Sequence, residues 1–143
     1  MKTILLKSEK ATLKFAERLA KKLKGGEIFA LSGDLGSGKT VFAKGIAKGL
    51  GLTAHITSPT FVLMKIYKVK GHKTIKELCH VDCYRLDDGE LLKDIGIEEY
   101  LANPRAVCVI EWAERLGFLK KYKVRKARFA LGKKEGWRNV RIF

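Results

Sequence analysis

The sequence has few of the residues that mark secreted, membrane-spanning or disordered chains. It contains 3 cysteines, 2 prolines and no glutamine. An odd number of cysteines without an export signal predicts reduced thiols rather than a disulfide framework. No apolar run approaches the roughly 20 residues that span a bilayer, and the run at residues 4–6 is too short for a signal-peptide core. We therefore expect a cytoplasmic protein.

Acidic residues are also scarce, with 15 Asp and Glu against 30 Lys and Arg, for a net charge of +15. The excess lies in residues 1–73 and 115–143, whereas residues 74–114 are net acidic. Basic surfaces favour polyanions such as nucleic acids, nucleotides or acidic proteins. At 143 residues the chain is long enough for one domain with a real core.

Hydrophobic periodicity, caps and turn residues indicate a chain that alternates helices and strands. A solidly apolar run at 106–110 is typical of a strand buried on both faces. The predicted elements are a strand over 3–7, helix 9–24, strand 27–32, helix 39–50, a polar loop over 53–60, a hairpin over 61–82, one or two short helices within 87–101, strand 106–110 and a final hairpin over 122–143.

Residues 33–40 read GDLGSGKT and match the phosphate-loop pattern G-x-x-x-x-G-K-[ST]. The match follows a predicted strand and opens a predicted helix, as a P-loop requires. Glycines let backbone N–H groups turn toward phosphate oxygens, and the positive end of the helix adds to the attraction. Lys39 should reach the β- and γ-phosphates, and Thr40 should place its hydroxyl on Mg²⁺. We expect a three-layer α/β P-loop domain whose mostly parallel sheet is extended by antiparallel hairpins.

A P-loop NTPase also needs an acidic residue at the end of a neighbouring buried strand, where it holds Mg²⁺ directly or through water. The apolar run VCVI ends at Glu111, which we expect to fill this role. Asp82 ends the preceding predicted strand and is a second candidate. It could bind the metal or position the attacking water.

Residues 79–83, CHVDC, place thiols, an imidazole and a carboxylate together, which raises the question of a transition-metal site. Zinc sites usually use closely spaced ligand pairs such as C-x₂-C, but Cys79 and Cys83 are four positions apart. Strand alternation puts these cysteines on one face and His80 with Asp82 on the other. We therefore expect the cysteines, with Cys108, to be packing or surface residues. His80 could orient Asp82 or only fill the strand face.

Read in order, GDLGSGKT, SPTF at 58–61, HVDCYRL at 80–86 and IEWAE at 110–114 resemble the TsaE (YjeE) family. Residues 95–101, IGIEEYL, are similar to the family's L-G-x-E-E-Y-L segment. These proteins are small bacterial P-loop ATPases required for making threonylcarbamoyladenosine in tRNA. The resemblance covers roughly residues 8–116 and implies ATP and Mg²⁺ as cofactors.

The resemblance implies a catalytic set of Lys39, Asp82 and Glu111, and a metal set of Thr40, Glu111 and Asp82. Residues 58–60 would form a switch-like loop that senses the nucleotide. The implied nucleotide-binding residues are Glu9, Gly33, Asp34, Leu35, Gly36, Ser37, Gly38, Lys39, Thr40, Thr60 and Trp112.

For three residues a purely structural role is the alternative interpretation. Trp112 could pack near the catalytic centre or only in the core. Glu9 could lie near the adenine, or its carboxylate could only interact favourably with the positive end of the helix dipole. Arg85 could contact phosphate or a partner, or pair with an acidic neighbour.

The implied partners are the TsaD and TsaB proteins, with ATP hydrolysis resetting their complex between turnovers and tRNA reached through that complex. Direct RNA contact by the basic surface stays open. Two alternatives compete with this reading. One is a nucleotide-gated RNA- or protein-binding module, which the basic ends favour. The other is a small nucleoside or metabolite kinase, although the middle of the chain has few arginines for a lid. A GTPase is disfavoured because the chain contains no N-K-x-D sequence.

Overall fold

The computed structural model describes residues 2–52, 63–84 and 90–143. The predicted loop over 53–60, with Thr60, and the residue Arg85 lie outside these ranges. The strands and helices are β1 Lys2–Leu6, α1 Glu9–Ala20, β2 Ile28–Gly33, α2 Lys39–Gly49, β3 Met64–Lys68, β4 Glu77–Asp82, α3 Glu90–Asp94, α4 Ile97–Leu101, β5 Ala106–Glu111, β6 Arg125–Leu131 and β7 Arg138–Ile142. Two 3₁₀ turns, Ala113–Arg115 and Gly117–Lys121, connect β5 to β6.

The strands form one seven-stranded sheet in the order β1-β7-β6-β2-β5-β4-β3. Its centre is parallel, because β6, β2, β5 and β4 run in the same direction. Both edges are antiparallel, formed by β7 and β1 on one side and β3 on the other. The predicted parallel centre and both hairpins are confirmed. The parallel pairing of β6 with β2 is a feature that the sequence did not predict.

Two hydrophobic clusters cover the two faces of the sheet and make three layers. On one face α1 and α2 bury a cluster that includes Phe29, Phe42 and Phe129. On the other face α3, α4 and the 3₁₀ turns cover Ile28, Cys108 and Ile110. The three-layer prediction is therefore confirmed. Within the described ranges, no helix is both long and apolar enough to cross a bilayer.

Helix α1 begins as predicted but ends four residues early. The Ser8 hydroxyl caps the helix by accepting from the Ala11 N–H at 2.9 Å. The helix stops at Ala20, whereas the prediction extended it to residue 24. The Glu27 carboxylate accepts the N–H groups of Lys24 and Gly25 at 2.9 and 2.7 Å. The N–H groups of Lys22 and Leu23 already bond to the third residue back, so the segment after Ala20 tightens into a turn that the Glu27 carboxylate closes.

Helix α2 lies unusually close to α1. A Cβ added at Gly45 would come within 2.5 Å of the Ala16 Cβ, and one at Gly49 within 2.5 Å of the Ala20 Cβ. Small residues on both helices therefore allow the backbones to approach closely. This contact matters for the site, because the first turn of α2 carries the end of the glycine-rich loop.

Candidate functional site

The glycine-rich loop between β2 and α2 requires glycine at three positions. Gly33, Gly36 and Gly38 have φ angles of 140°, 77° and 107°, in the region that side chains disfavour. A Cβ at Gly33 would also meet the Phe129 carbonyl oxygen at 2.4 Å. The loop therefore takes the turned conformation in which successive N–H groups can surround an anion.

The Lys39 ammonium bends back over this loop. Its Nζ donates to the Gly33 and Asp34 carbonyl oxygens at 2.6 and 2.8 Å, and to the Ser37 hydroxyl at 3.3 Å. The Nζ also lies 4.3 Å from the centre of the Trp112 ring, a cation–π contact. The ammonium thus has three hydrogen-bond acceptors, all of them atoms of the loop.

Burial lowers the pKa of Lys39 from its ordinary value, because removal from water disfavours the charged form. The carboxylates of Glu111, Glu114, Asp82 and Asp34 oppose this effect and favour the ammonium. The loop therefore holds a cation that is poorly hydrated and surrounded by acidic groups. An anion entering the loop would give this ammonium a direct counter-charge.

Glu111 is the centre of a buried hydrogen-bonded chain. The Thr40 hydroxyl donates to Glu111 Oε1 at 2.7 Å, and His80 Nε2 lies 2.6 Å from Glu111 Oε2. Both His80 and Glu111 are almost fully buried, with side chains 1% and 3% exposed. The sequence left open whether His80 orients Asp82. Its imidazole instead meets Glu111, and its other nitrogen has no hydrogen-bond partner among the described residues.

Asp82 ends β4 directly beside Glu111. The parallel register pairs Asp82 with Glu111, so both carboxylates leave the sheet at the same edge and on the same face. Asp82 Oδ1 accepts the Tyr84 N–H at 2.9 Å, which fixes the carboxylate at the strand end. The structure therefore brings together Lys39, Asp82 and Glu111, the three residues predicted to be catalytic.

The donors at this edge fit a hard cation such as Mg²⁺, which prefers oxygen ligands. Thr40 donates its hydrogen to Glu111, so the lone pairs of its hydroxyl oxygen stay available for a cation. Glu111 and Asp82 add carboxylate oxygens. Across the described ranges there is no cluster of three or more His, Cys, Asp or Glu side chains with metal-site geometry. Any metal here would therefore depend on the hydroxyl, water and phosphate oxygens as well.

Trp112 follows Glu111 with a backbone that side chains rarely adopt, at φ 58° and ψ 40°. The indole contacts both the Lys39 ammonium and the ring of Tyr84, and the centres of the two rings are 5.0 Å apart. Trp112 thus contacts the site as well as the core cluster beneath it. A non-glycine residue in this region costs about 1–3 kcal/mol, so the surrounding contacts must hold it there.

These residues line a cleft of about 450 Å³ at the carboxyl ends of the parallel strands. The Leu35 side chain is 70% exposed at the mouth of the cleft. Ser37 is fully buried beneath the loop, and Gly33 with Asp34 contributes carbonyl oxygens to Lys39. The predicted residues on the cleft wall are Glu9, Leu35, Gly36, Gly38, Lys39, Thr40, Asp82, Glu111 and Trp112.

Arg138 and Thr12 also line the cleft, and the sequence did not predict them. Arg138 begins β7 and donates to the Gly36 carbonyl oxygen at 2.9 Å and to the Trp137 carbonyl oxygen at 2.8 Å. Pairing of β6 with β2 brings the final hairpin beside the glycine-rich loop. No local signal marks Arg138, because its position depends on that long-range pairing.

The cysteines lie on the other side of the sheet. Cys79, Cys83 and Cys108 are free and buried in the cluster under α3 and α4. A hydrogen bond to Cys108 and burial raise the pKa of Cys79, and burial raises the pKa of Cys83 to about 12. The alternation predicted for residues 79–83 therefore holds, and the cysteines are packing residues.

Comparisons of the chain with family models, curated proteins and solved structures all point to the same family. Residues 6–140 match the family model described as threonylcarbamoyl adenosine biosynthesis protein TsaE. A tRNA threonylcarbamoyladenosine biosynthesis protein TsaE from Treponema pallidum is 42% identical over 77% of this chain and 77% of its own length. The Bacillus subtilis protein of the same name is 39% identical over 78% of this chain.

The match to some relatives covers only part of their length. It spans 65% of the Bacillus subtilis protein and 64% of a Streptomyces coelicolor protein of the same name. Among solved structures, that of Bacillus subtilis YdiB superimposes with a TM-score of 0.73 at 27% identity. The superposition covers 97% of this chain and 82% of the YdiB chain.

Proposed function

The chain belongs to the TsaE family of threonylcarbamoyl adenosine biosynthesis proteins, and on that premise we propose that it is an ATP-binding, slowly ATP-hydrolysing accessory subunit of tRNA threonylcarbamoyladenosine modification. The observation that carries the proposal is the 2.7 Å bond from Thr40 to Glu111. It joins the last residue of the phosphate loop to a carboxylate on β5, the arrangement that a P-loop ATPase uses to hold Mg²⁺.

ATP binding begins with the loop and Lys39. The glycine-rich backbone supplies N–H donors to the phosphates, and the first turn of α2 adds its positive end. Lys39 exchanges the carbonyl oxygens of Gly33 and Asp34 for β- and γ-phosphate oxygens. Those new bonds are charge-assisted and stronger than bonds to neutral carbonyls. Trp112 covers Lys39 and limits its access to water.

Hydrolysis requires an oriented water and neutralised phosphate charge. Mg²⁺, held by Thr40 and Glu111 with Asp82 nearby, would supply the charge neutralisation when bound. His80 fixes Glu111 through the 2.6 Å bond between Nε2 and Oε2. Asp82, fixed by the Tyr84 N–H, accepts a hydrogen bond from the attacking water and orients it toward the γ-phosphate.

The partners in this proposal are the TsaD and TsaB proteins, acting with tRNA in the cytoplasm. A site completed by a partner accounts for slow hydrolysis by the free protein. In the proposal, nucleotide turnover resets the transferase pair between cycles and does not transfer the threonylcarbamoyl group. Glu9 and Thr12 line the cleft beside the loop, where the adenine end of ATP would lie.

Turnover of ATP by the purified protein tests the proposal. We expect slow phosphate release that depends on Mg²⁺ and is abolished by Glu111→Ala, because this change removes the partner of both Thr40 and His80. Glu98→Ala, which removes an exposed carboxylate from α4, is the matched control and should hydrolyse ATP at the wild-type rate. Wild-type turnover by Glu111→Ala would refute the metal assignment.

A second measurement separates the competing functions. Association with TsaD and TsaB should differ between ATP and ADP, as measured by pull-down with the full chain. Phosphorylation of an added nucleoside would instead favour a kinase. Binding of ATP without any hydrolysis, with or without the two partners, would favour the nucleotide-gated binding module.

A further inference from the structure

A second cleft, of about 470 Å³, lies on the sheet face opposite α1 and α2. Its floor is apolar, with Leu116 and Leu119 almost fully buried. Its wall includes two aromatic rings, Tyr122 and Phe143, and the Phe143 side chain is 43% exposed. The site described above accounts for none of these residues.

The rim of this second cleft is basic. Lys120, Lys126 and Arg128 line it and are exposed, while Glu114 is the one acidic side chain among the lining residues. Within the described residues, Lys126 and Arg128 form no salt bridge. The segment 115–143, which supplies most of the lining residues, has 11 Lys and Arg and a single acidic residue. The field over the cleft therefore favours a polyanion.

The sheet register continues this basic surface beyond the cleft. Burial alternates along β6, with Ala127 and Phe129 in the core and Lys126 and Arg128 on the open face. Arg128 lies directly opposite Arg141 of β7 on that face. The two neighbouring strands therefore present two cations side by side on this face.

Cations and aromatic rings also meet at one point of this surface. The Arg128 guanidinium lies 5.5 Å from the centre of the Phe143 ring, and the backbones of Phe143 and Lys126 exchange two hydrogen bonds of 2.9 and 3.0 Å. A base can stack on an aromatic ring while neighbouring cations hold its phosphates, and sheets with exposed aromatics bind single-stranded RNA in this way. A partner that binds by charge alone would have no use for the rings.

We infer that this face, defined by Tyr122, Lys126, Arg128, Arg141 and Phe143, binds single-stranded RNA. A base would enter the second cleft against Tyr122 or Phe143, and the phosphates would lie along Lys126, Arg128 and Arg141. Identification of that RNA as an unpaired segment of tRNA rests on the proposed function. Binding of RNA itself does not depend on it, since the face is separate from the ATP cleft.

Equilibrium binding of a fluorescently labelled 12-nucleotide oligouridine to the full chain tests the inference. The double variant Lys126→Gln/Arg128→Gln should bind at least tenfold more weakly than the wild type. The salt dependence should also change, because each lost phosphate contact lowers the slope of log K against log salt by about 0.7. Two lost contacts predict a decrease of about 1.4.

Two variants separate a built site from diffuse attraction. Lys14→Gln/Arg18→Gln removes the same charge from the exposed side of α1 and should change RNA affinity less than threefold. Phe143→Ala should weaken binding roughly tenfold, as expected for the loss of one stacked base, with the salt slope unchanged. Absence of RNA binding by the wild type, or equal losses in the two double variants, would overturn the inference.

ATP titrations of the same proteins keep the two proposals apart. The Lys126→Gln/Arg128→Gln variant should bind ATP like the wild type, and Lys39→Ala should bind the oligouridine like the wild type. If ATP binding fails in the wild type while the RNA result holds, only the proposed function is wrong. The double variant could instead bind oligouridine and a tRNA transcript like the wild type but fail to associate with TsaD and TsaB. In that case the ligand of this face is an acidic protein surface, and the RNA inference is wrong.

Discussion

Arg138 joins the final hairpin to the phosphate loop through its bond to the Gly36 carbonyl oxygen. It bonds to the backbone of the loop and brings a guanidinium to the wall of the cleft. A planar guanidinium suits phosphate recognition better than an ammonium, because its donors lie in a fixed fork. We therefore assign Arg138 to the nucleotide site, although no motif includes it.

We predict that Arg138→Ala weakens ATP binding about tenfold, the lower end of the range for a charged hydrogen bond, because Arg138 is partly exposed. Arg138→Lys should be intermediate, since it keeps the charge but loses the fork. Calorimetric titration with Mg-ATP measures both. Lys133→Ala, an exposed residue of the same hairpin, should bind like the wild type. Wild-type affinity in Arg138→Ala would remove this residue from the site.

Cys83 has a pKa raised from 9.0 to about 12, chiefly because burial disfavours the thiolate. Between these values the unfolded chain releases the thiol proton and the folded chain retains it. The contribution of this group to stability is thus complete below pH 9 and is lost as pH rises toward 12.

We predict that the free energy of unfolding of the wild type falls relative to that of Cys83→Ala by about 1 kcal/mol between pH 9 and pH 10. Urea titrations of both proteins at pH 8, 9 and 10 would measure this difference in stability. It should be nearly constant up to pH 8 and fall above pH 9. A difference that stayed constant up to pH 10 would mean that this thiol ionises equally in both states.

At the scale of elements, the contact between α1 and α2 positions the phosphate loop. A Cβ at Gly45 would meet the Ala16 Cβ at 2.5 Å and the Leu13 carbonyl oxygen at 2.6 Å. Because one of these atoms is backbone, no side-chain rotation can relieve the clash. The helices would have to separate, and α2 would move the loop that leads into it.

We predict that Gly45→Ala lowers the free energy of unfolding by about 1–3 kcal/mol, the usual range for overpacking, despite the higher helix propensity of alanine. Gly117→Ala is the control, because nothing lies within 4 Å of its added Cβ. It should change stability by less than about 0.5 kcal/mol. Urea denaturation compares the two variants, and equal stability would mean that the helix contact tolerates a methyl group.

The predicted elements also show which local signals were sufficient. Ser8 as a helix cap, the glycine-rich loop and the buried strand before Glu111 are each marked by neighbouring residues, and all lie where predicted. The end of α1 was predicted wrongly: the chain tightens into a turn at Lys22, and Glu27, beyond the helix, takes the N–H groups of Lys24 and Gly25. Competition between a side chain and the helix is hard to see in a hydrophobic pattern.

At the scale of the whole molecule, the strand order decides what the sequence could not. Parallel pairing of β4 with β5 places Asp82 beside Glu111, as expected of two strands that end in carboxylates. Insertion of β6 between β2 and β7 could not be inferred, because nothing local specifies the neighbour of a strand. That insertion brings Arg138 to the loop and leaves Lys126 and Arg128 on the open face. The contact between His80 and Glu111 depends instead on the parallel pairing of β4 with β5.

The central claim is that the glycine-rich loop and Lys39 bind the phosphates of ATP. Calorimetric titration of the wild type, Lys39→Ala and Lys22→Ala with Mg-ATP tests it most directly, since Lys22 is an exposed lysine outside the cleft lining. We predict one site in the wild type and in Lys22→Ala, and at least a tenfold loss of affinity in Lys39→Ala. Equal affinity in all three proteins would contradict the claim.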